Sequence, residues 1–256
     1  MVALRAMRPS RVFTRFSKVV LPNLRYLPQT QIRKCGCCSR ASVIVSLSES
    51  DEYKICIRCR ANYRYEMLAC YIRQSFPELR EMRVLELDSR SPLRPLLSQS
   101  REYIRTYFSY ADILGTMRED GARCEDITRL TLRPESVDLI VSSEVLEHVQ
   151  DLVAAFRETA RILRNGGCHI FTVPPRESTR QKARLENGQI VCLGAPEYHS
   201  DPLDPRGILV YWDFGPDAPS VFDTDNLKLD MVKGPSGKSR RVIWRALKGT
   251  GVPKSH

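Results

Sequence analysis

The feature that most restricts how this 256-residue chain can fold is a pair of cysteine knuckles, because five of its nine cysteines lie between Cys35 and Cys59. They read Cys35-Gly-Cys-Cys38, seventeen intervening residues, then Cys56-Ile-Arg-Cys59. A Cys-x-x-Cys turn holds two thiolates on one tight bend, and two such turns facing each other offer a tetrahedral sulfur set suited to Zn²⁺. The expected ligands are Cys35, Cys38, Cys56 and Cys59. Cys37 is a fifth thiol in the first knuckle, but the two-residue spacing favours the outer pair. An odd number of cysteines, so clustered in a chain of this length, speaks for metal in a reducing compartment and against a disulfide framework. The lobe is small, with one strand-like run, Ser42-Val-Ile-Val-Ser-Leu47, and metal binding would supply its folding energy. A reduced cluster without metal is the competing reading.

Charge divides the chain in the same place. Of its net +10, residues 1–80 carry all, with 15 basic and 5 acidic side chains, while residues 81–256 carry 25 of each. An anionic partner, whether nucleic acid, membrane surface or phosphorylated substrate, would be drawn to the N-terminal third. Residues 1–34 hold Arg5, Arg8, Arg11, Arg15, Lys18, Arg25, Arg33 and Lys34 and no acid. This basic arm reads as a solvated leader, an interfacial helix on anionic lipid, or an organelle transit peptide. Pro9, Pro22 and Pro28 restrict any helix in it to short pieces. The corresponding expectation is a cytoplasmic protein, with membrane-peripheral association or organelle targeting left open. No run of about 18 apolar residues exists to span a membrane.

Beyond the ribbon, Tyr65, Leu68, Tyr71 and Ile72 recur at helical spacing, and Arg58, Arg60, Arg64 and Arg73 extend the basic face. After Pro77 the pattern becomes short apolar runs separated by helical stretches, as expected of an α/β domain with a parallel sheet. The runs are Arg83–Asp88, Tyr103–Asp112, Val137–Ser142 and His169–Val173, the last entered through a turn at Gly166-Gly167. A helix is expected from about Asp151 to Leu163, burying Leu152, Ala155, Phe156, Thr159, Ala160 and Leu163. Leu227–Val232 and Arg241–Leu247 form a closing antiparallel hairpin. The fold class is therefore a Rossmann-like, doubly wound, mostly parallel sheet with an antiparallel C-terminal hairpin, preceded by a small zinc ribbon. The expected organisation is arm 1–34, ribbon and following helix 35–76, α/β domain 77–249 and tail 250–256.

In an open parallel sheet, ligands bind at the carboxyl ends of strands near the switch in strand order. That rule nominates Glu86–Pro92, Asp112, Cys124–Ile127 and Ser142–His148. A nucleoside cofactor needs an acid for its ribose hydroxyls, an acceptor and a backbone donor for its base, and a tight loop at its charged end. The stretches Arg123-Cys-Glu-Asp-Ile-Thr-Arg-Leu-Thr-Leu, Ser136-Val-Asp-Leu-Ile-Val-Ser-Ser-Glu-Val-Leu-Glu-His-Val149 and Ala155-Phe-Arg-Glu-Thr-Ala-Arg-Ile-Leu-Arg-Asn-Gly-Gly167 carry a specific resemblance. They resemble class I S-adenosylmethionine-dependent methyltransferases of the type 11 kind, over about residues 83–175. The tail through Pro196-Glu-Tyr-His-Ser-Asp-Pro202 and Trp212-Asp-Phe-Gly-Pro-Asp217 is similar to a subgroup that often carries an N-terminal cysteine ribbon.

The resemblance implies that Glu86 holds the methionine end of S-adenosylmethionine; in the loop after it, Asp88 is a candidate to pair with the cofactor ammonium and Ser89 a further candidate contact. It implies that Asp112 takes the ribose and that Asp126 and the Ile127 N–H take the adenine. Ser142, Ser143 and Glu144 would line the floor beneath the sulfonium. One departure stands out: the family's glycine-rich loop is replaced by Leu87-Asp-Ser-Arg-Ser-Pro92, so larger residues occupy positions where glycine permits close backbone approach. His148 is the candidate acid/base residue, with a structural helix-start as the alternative. Tyr198, His199 and Asp201 form a second polar cluster, read either as lining the acceptor pocket or as a polar surface loop. The leading function is methyl transfer to an oxygen or nitrogen of a small-molecule, glycan or lipid-linked acceptor. The alternatives are an RNA methyltransferase that reads through its ribbon, and a non-catalytic zinc-dependent interaction protein with a vestigial cofactor fold.

Overall fold

A computed structural model describes residues 21–199, 207–224, 226–233 and 241–249. Most of the basic arm, Asp201 and the 250–256 tail therefore lie outside the described residues. The chain divides into two compact units, Met1–Cys70 and Tyr71–His256.

In the first unit, a short 3₁₀ segment (Leu21–Gln29) leads into an antiparallel sheet of β1 (Gln31–Lys34), β2 (Ala41–Ser46) and β3 (Lys54–Cys56), in that order. Along β2, Ser42, Ile44 and Ser46 are buried and the residues between them are not, the two-residue alternation of a one-sided sheet. The expected Ser42–Leu47 run is this central strand. Helix α1 (Tyr63–Ser75) follows and crosses the boundary between the units.

The second unit is built on a seven-stranded sheet. Its strands are β4 (Arg83–Glu86), β5 (Glu102–Tyr107), β6 (Arg123–Cys124), β7 (Val137–Ser143) and β8 (Leu163–Thr172), completed by two C-terminal strands. Between β8 and those strands lie six short ones: β9 (Arg180–Gln181), β10 (Ala183–Glu186), β11 (Gln189–Cys192), β12 (Tyr198–His199), β13 (Ile208–Leu209) and β14 (Trp212–Asp213). They pair as β10 with β11, β12 with β13 and β14 with β9, all antiparallel. β15 (Leu227–Lys233) and β16 (Val242–Lys248) form the closing hairpin, and the full order is β15-β16-β8-β7-β4-β5-β6. The five strands β4 to β8 are mutually parallel, while β16 runs against both β8 and β15. The doubly wound sheet with an antiparallel hairpin is thus present. The chain leaves β4 toward β5 and β6, then returns to β7 on its other side, so the switch in order falls between β4 and β7.

The helices of this unit are α2 (Arg94–Leu97), α3 (Leu152–Ile162) and α4 (Ala218–Phe222). The Asp151 carboxylate accepts from the Ala154 N–H at 2.9 Å and caps α3. One stripe, Leu152, Ala155, Phe156, Thr159 and Ile162, is buried, a close match to the spacing read from the sequence. Phe156, Phe171, Phe214, Phe222 and Trp244 gather on that side of the sheet as ring neighbours at 5.4–6.3 Å. Each such ring, fully buried, contributes roughly 1.5–3 kcal/mol of hydrophobic stabilisation.

Two boundaries differ from expectation. Gly166-Gly167 is not a turn before the strand: β8 already begins at Leu163, and its register on β7 jumps from Val137↔Leu163 to Leu139↔Cys168. The residues 164–167 are looped out within the strand, with Gly166 at φ +78° supplying the bend. The run read as Tyr103–Asp112 ends as a strand at Tyr107, because only Thr106 and Tyr107 find partners on the two-residue β6.

Candidate active site

The knuckles after β1 and β3 are built alike. The Cys35 N–H reaches the Arg40 carbonyl at 2.9 Å and the Ser39 N–H returns to Cys35 at 2.9 Å. The Cys56 N–H likewise reaches Ala61 at 2.9 Å and Arg60 returns to Cys56 at 2.8 Å. Ser39 and Arg60 close both turns with positive φ, 57° and 63°. The result brings the sulfurs of Cys35, Cys38, Cys56 and Cys59 within 4.8 Å of one another. Cys37 is buried but stands outside this set. Four thiols so grouped match the donor set of a structural zinc centre. Behind the first knuckle, the Glu66 carboxylate accepts from the Gly36 N–H at 2.9 Å and from the Arg33 guanidinium at 2.7 and 3.1 Å. Arg64 pairs with Glu52 at 3.4 Å, so two of the cations counted toward a basic N-terminal third are matched by acids within their own unit.

At the carboxyl edge of the second unit, Glu86 ends β4 almost fully buried, with its carboxyl receiving the Tyr103 hydroxyl. Burial pushes this carboxyl up to about 7, against the opposing effect of Ser91 and Tyr103 hydrogen bonds. The glycine-free loop that follows keeps φ negative throughout residues 87–92 and is held by its own side chains. Asp88 accepts from the Arg90 N–H at 2.7 Å, Ser91 from the Leu93 N–H at 2.9 Å, and buried Arg105 donates to the Ser89 carbonyl at 3.0 Å and to the Asp120 carbonyl. Glycine is dispensable because these anchors set a path that any L-residue can follow.

The remaining nominated residues are distributed along the same edge. Asp112 lies five residues past the end of β5 and accepts from the Tyr107 hydroxyl at 2.9 Å. Asp126 accepts from the Thr128 N–H and hydroxyl at 2.9 and 2.7 Å, forming its own turn, while Ile127 joins the apolar core. Glu125 beside it is buried against Arg123 and Thr131. Ser142 is buried with its hydroxyl 2.8 Å from His169 Nε2, and Ser143 bonds to the Thr172 hydroxyl at 2.9 Å. Glu144 then turns the chain at φ +56°, its N–H bonded to Thr172 and its carboxylate 3.8 Å from Arg241. The acids and backbone donors required by a nucleoside cofactor sit on consecutive strand ends, so the residue types fit; Ser142 offers that edge only its backbone.

His148 and His199, separated by 51 positions, meet in space with ring centroids 4.9 Å apart at 90°. The segment Ile208–Tyr211 ties them together. The Tyr211 N–H donates to the Glu147 carbonyl at 2.7 Å, the Val210 N–H to the Glu197 carbonyl at 2.9 Å, and His148 Nδ1–H to the Leu209 carbonyl at 2.8 Å. Beside both rings lies Glu147, 1% exposed, whose carboxylate oxygens have no hydrogen-bond partner. Burial pushes the Glu147 carboxyl up, opposed by His199. His199 is held above the ordinary imidazole value by Glu147 and, beyond it, by Glu197, partly opposed by burial. Glu197 is lowered to about 2 by Lys182, whose effect outweighs burial, and by Arg176. These bases also line an open cleft of about 580 Å³, with Arg180, Asp213 and Glu197 on its walls. In the sequence both histidines stand out but in separate clusters, and Glu147 is not among the candidate residues. Its signal was a carboxylate at an inward position of the apolar run Val145–Val149.

Residues 103–171 match the model of a family described as methyltransferase domain. Structures similar to this chain include an S-adenosylmethionine-dependent methyltransferase from Mesorhizobium loti, 14% identical over 71% of this chain and 98% of that one, with TM-score 0.46. Another is phosphoethanolamine N-methyltransferase 1 of Haemonchus contortus, 13% identical over 72% of this chain and 42% of that one, with TM-score 0.43. A third is the YcgJ protein from Bacillus subtilis, 12% identical over 70% and 98%, with TM-score 0.41. No curated protein matches the chain. The fold is a Rossmann-like α/β domain, and the segment that matches the methyltransferase-domain model runs from β5 through most of β8.

Proposed function

We propose that the chain is an S-adenosylmethionine-dependent methyltransferase that acts on an oxygen or nitrogen of a polar acceptor. The observation that carries this reading is the family match over residues 103–171, which takes in the ends of β5, β6 and β7 with Asp112, Asp126, Ile127 and Ser142–Glu144, while Glu86, Asp88 and Ser89 precede it. The cofactor, when bound, supplies an activated methyl group on a sulfonium. Asp88 offers negative charge and Glu86 a carboxyl acceptor for its methionine ammonium, Asp126 an acceptor for the adenine amino group, and the backbone at Ser142–Glu144 a wall beneath the sulfonium. This chemistry calls mainly for alignment of acceptor and sulfur, so no nucleophilic triad is required. The charged cleft beside Glu197 suits an acceptor with several polar groups and disfavours an apolar one. The cysteine ribbon, loaded with Zn²⁺, and the basic arm are assigned to acceptor positioning. Calorimetric titration of zinc-analysed protein with S-adenosylhomocysteine tests the reading, with Asp126→Ala as comparison. Saturable binding that the substitution weakens supports it. Absence of binding by folded protein refutes it and leaves the interaction-protein reading.

Among the described residues no helix is long and apolar enough to cross a membrane.

A further inference from the structure

We infer that Glu147, His148 and His199 form a second metal centre, distinct from the cysteine ribbon, that takes a divalent first-row cation with an open coordination face. One ligand atom from each, a carboxylate oxygen and two ring nitrogens, lie within 4.8 Å of one another.

The hydrogen-bond pattern makes the arrangement unfavourable without a cation. His148 Nδ1 donates to the Leu209 carbonyl at 2.8 Å, and His199 Nε2 faces the Glu197 carboxylate at 3.4 Å. Each neutral imidazole has one N–H. With that proton directed outward in both rings, His148 Nε2 and His199 Nδ1 turn lone pairs toward Glu147. Their separations from Glu147 Oε1 are 3.7 and 3.6 Å. Those distances are too long for hydrogen bonds. They approach the spacing of roughly 3.4 Å between donors that share one tetrahedral ion with bonds of 2.0–2.1 Å. With both rings neutral, three acceptor atoms therefore converge, and one of them belongs to a buried carboxylate with no hydrogen-bond partner. A cation resolves both problems at once.

The outer shell is that of a metal site as well. Ligating histidines usually hand their second N–H to a carbonyl or carboxylate, which fixes the ring. Here Leu209 and Glu197 fill those roles, and Glu197 is itself anchored by Lys182 and Arg176. Two imidazoles and one carboxylate select Zn²⁺, Mn²⁺, Fe²⁺ or Co²⁺ over Ca²⁺. Three protein ligands leave at least one position open. Building on the methyltransferase reading, that position takes an ionisable oxygen of the acceptor and holds it as the hydroxylate. The hydroxyl proton passes to bulk buffer, and the oxygen lone pair then receives the methyl group as the carbon–sulfur bond breaks.

The test uses the full chain, stripped with chelator and refilled with one equivalent of Zn²⁺ to satisfy the four cysteines. Mn²⁺, which favours nitrogen and oxygen over thiolate donors, is then titrated by calorimetry and by its electron paramagnetic resonance signal. One further equivalent is expected to bind. His199→Ala and Glu147→Gln should each weaken it at least tenfold, whereas Cys59→Ser should leave it in place. His199 is partly exposed, so its loss spares the core, and the wild-type titration is decisive even where a variant fails to fold. Absence of a second equivalent overturns the inference, as does a second equivalent that neither substitution weakens. Parallel S-adenosylhomocysteine titrations separate the two readings. Mn²⁺ binding without cofactor binding upholds the cation site and defeats methyl transfer, and the reverse result defeats only the site.

Discussion

Two buried titrating groups in the second unit pull its stability in opposite directions as pH falls, and substituting each in turn makes both effects visible. His169 is fully buried, and burial lowers its imidazole to about 3 from 6.5. Its folded pKa is depressed, so the stability it allows is complete above the unfolded value and declines as pH drops below 6.5. Between pH 7 and 5 the unfolded chain gains a proton that the native state refuses, a loss of about 2 kcal/mol. Glu86 does the opposite: its carboxyl is raised to about 7 from 4.5, mainly by burial. A raised folded value gives stability that is full below 4.5 and lost as pH climbs through 7, so the same step from pH 7 to 5 restores about 2 kcal/mol. In the wild type the two nearly cancel. His169→Gln removes the first while keeping a donor for Ser142, and Glu86→Gln removes the second while keeping an acceptor for Tyr103. Both tryptophans, Trp212 and Trp244, lie in this unit, so their fluorescence in urea follows its unfolding alone. Relative to wild type, His169→Gln should gain about 2 kcal/mol on going to pH 5 and Glu86→Gln should lose about as much. The ribbon's own acid sensitivity is common to all three proteins and cancels in the comparison. Variants that track the wild type in parallel from pH 7 to 5 would refute the reasoning.

Other consequences are separable. A Cβ on Gly167 would stand 2.9 Å from the Asp138 carbonyl oxygen, while one on Gly166 meets open space but must adopt φ +78°. Gly167→Ala should therefore cost about 1–3 kcal/mol by crowding and Gly166→Ala about 1–2 kcal/mol by backbone strain alone; unchanged urea midpoints would contradict both. Glu66→Gln weakens the support behind the first knuckle, so zinc should leave for a colorimetric chelator about tenfold faster than from wild type. Equal release rates would remove Glu66 from that role. Arg105→Met leaves the Ser89 and Asp120 carbonyls without their guanidinium, so amide hydrogen exchange across residues 87–92 should quicken while exchange in β7 stays slow. Uniform exchange in both proteins would show that the loop is held by its Asp88 and Ser91 turns instead.

What the sequence disclosed and what it hid follow from the range of the interactions involved. Strands β4 and β7, helix α3 and the β15–β16 hairpin are local patterns, because a strand or helix must bury one face and the residue spacing records which. The knuckles were legible for the same reason, since Cys-x-x-Cys and the positive-φ residue after it form one turn. The start of β8 was not, because Gly166-Gly167 normally signals a break, and only its register against β7 reveals that the strand swallows the bend. Residues 175–214 were harder still. Their strands are two to four residues long and mostly exposed, so alternation has too few positions to register. That is the stretch that returns His199 to His148, through backbone bonds from Val210 and Tyr211 to Glu197 and Glu147. No spacing rule connects two histidines 51 positions apart. What does connect them is an unmet need: Glu147, placed inside an apolar run, must find a partner wherever the fold can deliver one. A buried carboxylate in a sequence is thus a question about a distant residue, and here the short strands after β8 carry the answer back to it.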